Sequence, residues 1–333
     1  MNQANLLSAA NLRKTFKVSS QNRSTRLLTA LDGVSLHLSA GETLGIAGES
    51  GCGKSTLAKI MVGLLLPDSG DVLYKGAPLS QLGQSDRKIF RQKTQMIFQD
   101  PFSSLNPRMR VGDSISEPLV IAGMSASQQR EELARLMASV GLPYETANRF
   151  PDEFSGGQRQ RIGIARALAA SPEILIADEP VSSLDISIQA QIINILLQMK
   201  LDSALSMMIV SHNLLILRHI CDRIIIMYLG AIVECGPASE LFTRCRHPYT
   251  EALIAAIPGL KASATSKGKL LQDDLPSALS IPSGCRFHPR CRHAINRCRS
   301  EVPKMIEYAT GHTAACHLSE ELYGTVMQTS HSE

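Results

Sequence analysis

Nine residues, Gly48-Glu-Ser-Gly-Cys-Gly53-Lys54-Ser55-Thr56, constrain this chain more than any other feature. They match the spacing G-x-x-x-x-G-K-[ST]. They follow a short apolar run, Glu42-Thr-Leu-Gly-Ile-Ala-Gly48, and precede a helix-forming stretch. A strand, a glycine-rich turn and a helix start in that order make a phosphate cradle. Glycines let backbone N–H groups turn inward around phosphate oxygens, and the helix start adds the positive end of its dipole. Lys54 is placed to reach the β- and γ-phosphates, and Ser55 to offer a hydroxyl to Mg²⁺. The expected nucleotide-binding set is Gly48, Glu49, Ser50, Gly51, Cys52, Gly53, Lys54, Ser55 and Thr56, on a P-loop α/β core.

A second run fits the same chemistry. Residues 173–179, Glu-Ile-Leu-Ile-Ala-Asp-Glu, read as an apolar strand ending in two carboxylates. By itself this is a buried strand with an acidic turn. Downstream of a phosphate cradle, Asp178 is expected to hold Mg²⁺ and Glu179 to act as general base on the attacking water.

The rest of the chain alternates strand-like and helix-like runs, which implies parallel strands covered on both faces. The opening segment reads instead as antiparallel strands, with a turn near Asp32-Gly33. The helix after the cradle is expected over about 54–65, stopped by Pro67 and Gly70. Prolines 101, 107 and 118 then precede a charged stretch at 125–142. Its apolar residues Leu133, Leu136, Met137 and Val140 fall at helical spacing, so a helical subdomain inserted over about 101–165 is expected. The division expected is residues 1–250 for the catalytic domain and 251–333 for an extension rich in Pro, Arg and Cys, folded as a small separate lobe.

Composition narrows the alternatives. The 333 residues are 44% apolar and 19% charged, enough for a sizeable core. The net charge of +4 is spread along the chain and does not argue for nucleic acid. With no Trp and 4% aromatic residues, a base-stacking platform is not expected. The N-terminal residues lack the apolar core of a signal peptide, and no uncharged run is long enough to span a bilayer. Membrane association is therefore expected to come through partners.

Phe154-Ser155-Gly156-Gly157-Gln158-Arg-Gln-Arg161 resembles the LSGGQ signature of ABC ATPases, with Phe in place of the usual Leu. The resemblance covers about residues 5–250. It implies that Ser155, Gly156, Gly157 and Gln158 cap a nucleotide held by the cradle of a second ATPase subunit, so that two nucleotides lie sandwiched between two subunits. It also implies roles for residues that are weak signals alone. Gln99 matches the Q-loop glutamine, which contacts Mg²⁺ and the attacking water. Ser183-Leu184-Asp185 matches the D-loop, His212 the histidine that contacts the γ-phosphate, and Phe16 the aromatic that stacks on adenine.

Two further segments, 98–108 (FQDPFSSLNPR) and 246–258 (RHPYTEALIAAIP) with Leu275-Pro276 beyond, resemble the ATPases of oligopeptide, dipeptide and nickel importers. That resemblance implies a non-identical partner ATPase, two integral-membrane permease subunits and a periplasmic or surface substrate-binding protein. It places the chain on the cytoplasmic face of the inner membrane, with residues from Gln99 to about Leu119 lining a groove for the permease. Peptide is the solute expected, with nickel or another solute as the alternative. A non-transport ABC ATPase acting on nucleic acid or ribosomes is a rival class. Such proteins often carry a second ATPase half or a long coiled-coil insert, and neither is present in this sequence. A silent regulatory subunit is opposed by the intact Lys54, Asp178, Glu179 and His212.

Cys285, Cys291, Cys298 and Cys316 follow C-x₅-C-x₆-C-x₁₇-C among five arginines, 286, 290, 292, 297 and 299. Arginines lower thiol pKa and offset thiolate charge. Four thiolates can hold an iron–sulfur cluster or zinc, the spacing being wide for zinc. The same region resembles the C-terminal part of peptide-importer ATPases, some of which carry a [4Fe–4S] cluster. Cluster, zinc and unligated thiols all stay open from sequence. Cys52 is expected to pack, with alkylation there blocking nucleotide. Cys221, Cys235 and Cys245 carry no motif.

Overall fold

Three strands among the described residues, Thr43–Ala47, Ile174–Asp178 and Ser206–Val210, are buried at every position, as parallel strands with both faces covered must be. The computed structural model describes residues 5–19, 25–100, 104–182, 184–202, 205–257 and 278–324. Its strands are β1 (Asn5–Ser19), β2 (Thr25–Ser39), β3 (Thr43–Ala47), β4 (Ser69–Tyr74), β5 (Ala77–Pro78), β6 (Thr94–Ile97), β7 (Ile174–Asp178), β8 (Ser206–Val210), β9 (Arg223–Tyr228), β10 (Ala231–Pro237), β11 (Ile306–Ala309) and β12 (His312–Ala314).

The main sheet runs β6-β7-β8-β3-β9 in parallel and continues antiparallel through β10-β12-β11. A smaller antiparallel sheet has the order β2-β1-β4-β5. Alternate residues of β7 serve two different cores. Ile174 and Ile176 join Leu57, Ile60 and Met61 of helix Lys54–Met61, together with Leu7, Leu12 and Leu31 of the small sheet. Leu175 and Ala177 join Ile162, Leu196 and Leu217 on the opposite face. That second core runs on into the helical subdomain, where Leu133, Leu136, Met137 and Val140 are all buried, as their spacing predicts. Helix Ala126–Ser139 there starts on a capping box between Ser125 and Gln128.

Three local features differ from expectation. Asp32-Gly33 is not a turn. β2 runs straight through it, and the register steps from Arg13↔Asp32 to Leu12↔Val34. Gly33 at φ +75° absorbs that step as a bulge, and Asn11 at φ +52° lies in the adjacent shift between Ala9↔Leu36 and Leu12↔Val34. The cradle helix ends at Met61, before Pro67 and Gly70, because Gly63 at φ +74° turns the chain while its N–H donates back to the Ile60 carbonyl. The extension is not detached. Its hairpin, β11 and β12, adds to the main sheet by pairing Glu234↔Ala314 and Cys235↔Thr313.

One buried carboxylate fixes that attachment. Glu234 is fully buried, accepts the N–H groups of Arg246 (2.6 Å) and His247 (3.0 Å), and meets His312 Nε2 at 2.8 Å. A buried charge is tolerated only when satisfied in this way. His247 is also buried. Its Nδ1 accepts the Tyr249 N–H at 3.0 Å and caps helix Pro248–Ala255, while burial pushes its pKa down to about 3. Among the described residues no helix is long and apolar enough to cross a membrane.

Glu234→Ala leaves three donors facing an apolar hole. It should cost about 3 kcal/mol or more of stability and speed hydrogen exchange at the β12 amides ahead of the rest of the sheet. Thermal unfolding and exchange mass spectrometry check both. His247 binds its proton far more weakly folded than unfolded. Its neutral form therefore favours folding above the ordinary histidine pKa, and that contribution is lost as pH falls from about 6.5 toward 3. His247→Asn keeps a capping acceptor but does not titrate. Acidification from about pH 7 to about pH 5 should lower the melting point of the wild type more than that of this variant.

Candidate active site

The parallel ladder brings β3, β7 and β8 to one level. Ile46 pairs with Val210, and Val210 pairs with Asp178. The chain therefore leaves the sheet at three adjacent points, through the Gly48 loop, Glu179 and Ser211-His212. Sites in α/β proteins form at such carboxyl ends.

The first exit is the cradle. A Cβ at Gly48 would lie 2.3 Å from the Met227 carbonyl oxygen, and one at Gly53 2.2 Å from that of Ala30, so backbone on both sides excludes any side chain. Lys54 is buried, and its Nζ donates to the Gly48 carbonyl at 2.7 Å and the Glu49 carbonyl at 2.9 Å, across the loop mouth. Ser55 Oγ donates to Asp178 Oδ1 at 2.9 Å. Burial raises the Asp178 pKa, with the Ser55 hydrogen bond opposing it. A hydroxyl and a carboxylate at this spacing are the oxygen donors that Mg²⁺ prefers.

The second and third exits meet. Glu179 Oε2 accepts from Gln99 Nε2 at 3.1 Å, and Oε1 lies 3.3 Å from His212 Nδ1. The Glu179 backbone sits at φ +46°, a left-handed conformation unusual for a non-glycine residue. Its N–H, bonded to the Val210 carbonyl at 2.9 Å, holds it there. A carboxylate steered from both sides beside a phosphate cradle is placed to take a proton from water.

Ser155 and its neighbours form a separate group. Ser155 caps helix Gly156–Ala169 by a capping box with Gln158, accepting the Gln158 N–H at 3.4 Å while Gln158 Oε1 accepts the Ser155 N–H at 3.0 Å. Gly157 lies against helix Ile186–Asp202, where a Cβ would meet Ile188 Cγ2 at 2.4 Å, and Gly156 faces Leu184. Asp185 is exposed, and its carbonyl starts that helix by accepting from Ile188 and Gln189. Phe16 is partly exposed, with Lys14 Nζ 5.7 Å from its ring centre. Ser50 and Gly51 are exposed at the loop tip, and Thr56 is half-buried. Ser183, residues 101–103 of the 98–108 segment, residue 258 of the 246–258 segment and Leu275-Pro276 lie outside the described residues.

Cys52 is almost fully buried with its thiol pKa raised by burial, so it packs behind the loop, as the sequence leads one to expect. The C-terminal cysteines gather: Cys316 feels the charges of Cys285, Cys291 and Cys298, and burial pushes its thiol up to about 12 and that of Cys291 up to about 11. All eight cysteines are free, and among the described residues no group of three or more His, Cys, Asp or Glu is placed to hold a metal ion. The arginines serve the thiols less than expected, Arg292 lowering the Cys291 thiol as a lesser influence than burial. Arg286, Arg290, Arg292 and Arg297 pair with Asp32, Glu49, Glu251 and Glu301. Contacts behind the cradle, from Arg290 and Tyr249 to Glu49, had no signal in the sequence, since some two hundred residues or more separate the partners.

Residues 31–182 match the family described as ABC transporter, and residues 233–298 match that described as oligopeptide/dipeptide transporter, C-terminal region. The chain is 47% identical to the probable peptide ABC transporter ATP-binding protein y4tS of Sinorhizobium fredii, over 88% of this chain and 83% of that one. It is 45% identical to the oligopeptide transport ATP-binding protein AppF of Bacillus subtilis, over 95% and 98%. It is 44% identical to the di/tripeptide transport ATP-binding protein DppF of Pseudomonas aeruginosa, over 89% and 91%. Among solved structures, the dimeric post-hydrolysis ATP-binding cassette MJ0796 bound to ADP and Pi superposes with a TM-score of 0.63 at 28% identity, over 70% of this chain and 98% of that one. Sequence, fold and C-terminal region agree, and the chain belongs to the ABC transporter ATPases, a family that uses ATP and Mg²⁺, in the branch of the oligopeptide and dipeptide importers.

Proposed function

We propose that this chain is the ATP-hydrolysing subunit that powers import of di- or oligopeptides from the cytoplasmic face of the inner membrane. Residues 1–250 carry the catalysis and 251–333 form the extension. The observation that carries the catalytic reading is Glu179 held between Gln99 and His212, beside Lys54 and the Ser55–Asp178 pair. Support for the solute comes from relatives named for peptide transport that span almost the whole chain.

In this reading Lys54 exchanges its two carbonyl partners for the β- and γ-phosphate oxygens, and Phe16 stacks on adenine. Ser55 and Asp178, with Gln99 nearby, would hold Mg²⁺, which neutralises charge on the phosphates when bound. Glu179 takes the proton of the attacking water, with Gln99 and His212 fixing its carboxylate. Ser155, Gly156, Gly157, Gln158 and Asp185 face the nucleotide of a second, non-identical ATPase. The groove between the main sheet and the helical subdomain, lined by Gln95, Phe98, Leu105, Pro118, Ile121 and Arg166, receives a helix of one of two permease subunits, which a periplasmic or surface binding protein supplies. No nucleic acid takes part. For the [4Fe–4S] reading of Cys285, Cys291, Cys298 and Cys316, no metal-holding group is found among the described residues, so no step is assigned to it.

The reading is tested in proteoliposomes holding the permeases, the binding protein and the partner ATPase. Lys54→Ala should abolish ATP binding. Glu179→Gln should keep it while turnover falls by roughly a hundredfold or more, the scale of a lost general base. Uptake of labelled di- and oligopeptides should fall with turnover in both. Rapid multiple turnovers by the Gln variant would remove Glu179 as the base, and uptake of nickel in place of peptide would reassign the solute.

A further inference from the structure

The cradle residue Glu49 turns its carboxylate toward the C-terminal extension. Arg290 holds it bidentately, Nη1 to Oε2 at 2.7 Å and Nη2 to Oε1 at 3.1 Å. The arginine side chain is only 5% exposed, so this pair is far from a surface ion pair. Glu49 makes further bonds through its backbone, one of them from the Cys52 N–H to its carbonyl at 3.3 Å. Its N–H donates to Tyr249 Oη at 2.9 Å, and its carbonyl accepts from Lys54 Nζ at 2.9 Å. One residue thus joins the extension to the lysine of the cradle.

The support behind Arg290 is rigid. It ends a short turn, His288–Arg290, whose Arg290 N–H donates to the Phe287 carbonyl at 3.0 Å. Phe287 is buried against Tyr228 and Tyr249, with ring centres 5.4 and 5.3 Å away. Arg286 in the same segment bonds the Leu229 carbonyl and Asp32. The turn is therefore clamped to the sheet.

A carboxylate in a phosphate cradle is an electrostatic liability, because it repels the anion that the cradle binds. We infer that Arg290 is a positioning residue for the triphosphate: it neutralises Glu49 and draws that carboxylate behind the loop, leaving the loop N–H groups and Lys54 to face the phosphates. The inference rests on the nucleotide-site reading above and extends it by giving the extension a part in ATP binding. Because the effect is one of charge, it grows with the number of phosphates on the ligand. A purely structural clip would not discriminate between nucleotides.

The test uses the full-length chain with Mg²⁺ and competition between a fluorescent ATP analogue and ATP, ADP or AMP. Arg290→Gln should weaken ATP roughly tenfold to a hundredfold, the scale of a lost charge-assisted bond beside an uncompensated charge. ADP should weaken less and AMP stay unchanged. Glu49→Gln/Arg290→Gln removes both charges and should recover most of the ATP affinity. Arg290→Lys, the gentler variant if the Gln variant folds poorly, should give an intermediate loss of ATP affinity with AMP unchanged. The inference is overturned if Arg290→Gln binds ATP within twofold of wild type, if all three nucleotides weaken together, or if the double variant is no better than the single. In each of those cases Lys54→Ala still abolishes binding and the nucleotide site stands. A wild-type chain that fails to bind ATP sinks both.

Discussion

The hydrogen-bond register of β7, β8 and β3 is the constraint on which the site depends. Each of these strands is five residues long, and their carboxyl ends lie level, with Asp178, Val210 and Ile46 in register. A slip of one residue in a parallel ladder turns every side chain to the other face. Here that would send Asp178 into the core and break its bond to Ser55. The apolar residues of β7 belong to two cores by strict alternation, so burial on both sides holds the register. The strained backbone at Glu179 is affordable only because its N–H is already committed to Val210.

What was legible in the sequence is what is local in the chain. The cradle, the Asp178-Glu179 pair and the buried face of Ala126–Ser139 are each written within a few consecutive turns of backbone. Sequence and structure part where one local signal serves two geometries. Asp-Gly marks a hairpin turn or a bulge alike, and only the pairing of β1 with β2 decides between them. Gly63 sits in an otherwise helical run beside the stronger local breakers Pro67 and Gly70, and only its left-handed backbone in the fold marks it as the stop. The arginine-rich setting of the cysteines pointed to thiolate chemistry, yet most of those guanidinium groups find carboxylates brought to them from Asp32, Glu49 and Glu251 by the fold. Partners so far apart in sequence leave no trace in composition or spacing.

The two functional groups of residues are distinct but share one short piece of chain. From Glu179, Ser182 and Leu184 donate back to the Glu179 and Val181 carbonyls, and helix Ile186–Asp202 begins at once. Leu184 then touches Gly156, and Ile188 fills the space that a side chain on Gly157 would need. A displacement at Glu179 therefore has only a few residues in which to dissipate before it reaches the turn that holds Ser155. Closely packed elements of this kind shift together.

The hairpin at the end of the main sheet also bears on how the molecule is made. β10 is complete by residue 237, but its outer edge is paired only when residues 312–314 arrive. On a ribosome working from the N-terminus, the catalytic core can be assembled while that row of backbone donors and acceptors is still open, and open edges recruit strands from other chains. Glu234 lies at the centre of that edge, and a carboxyl group on an open edge is one of the devices that discourage pairing with other strands.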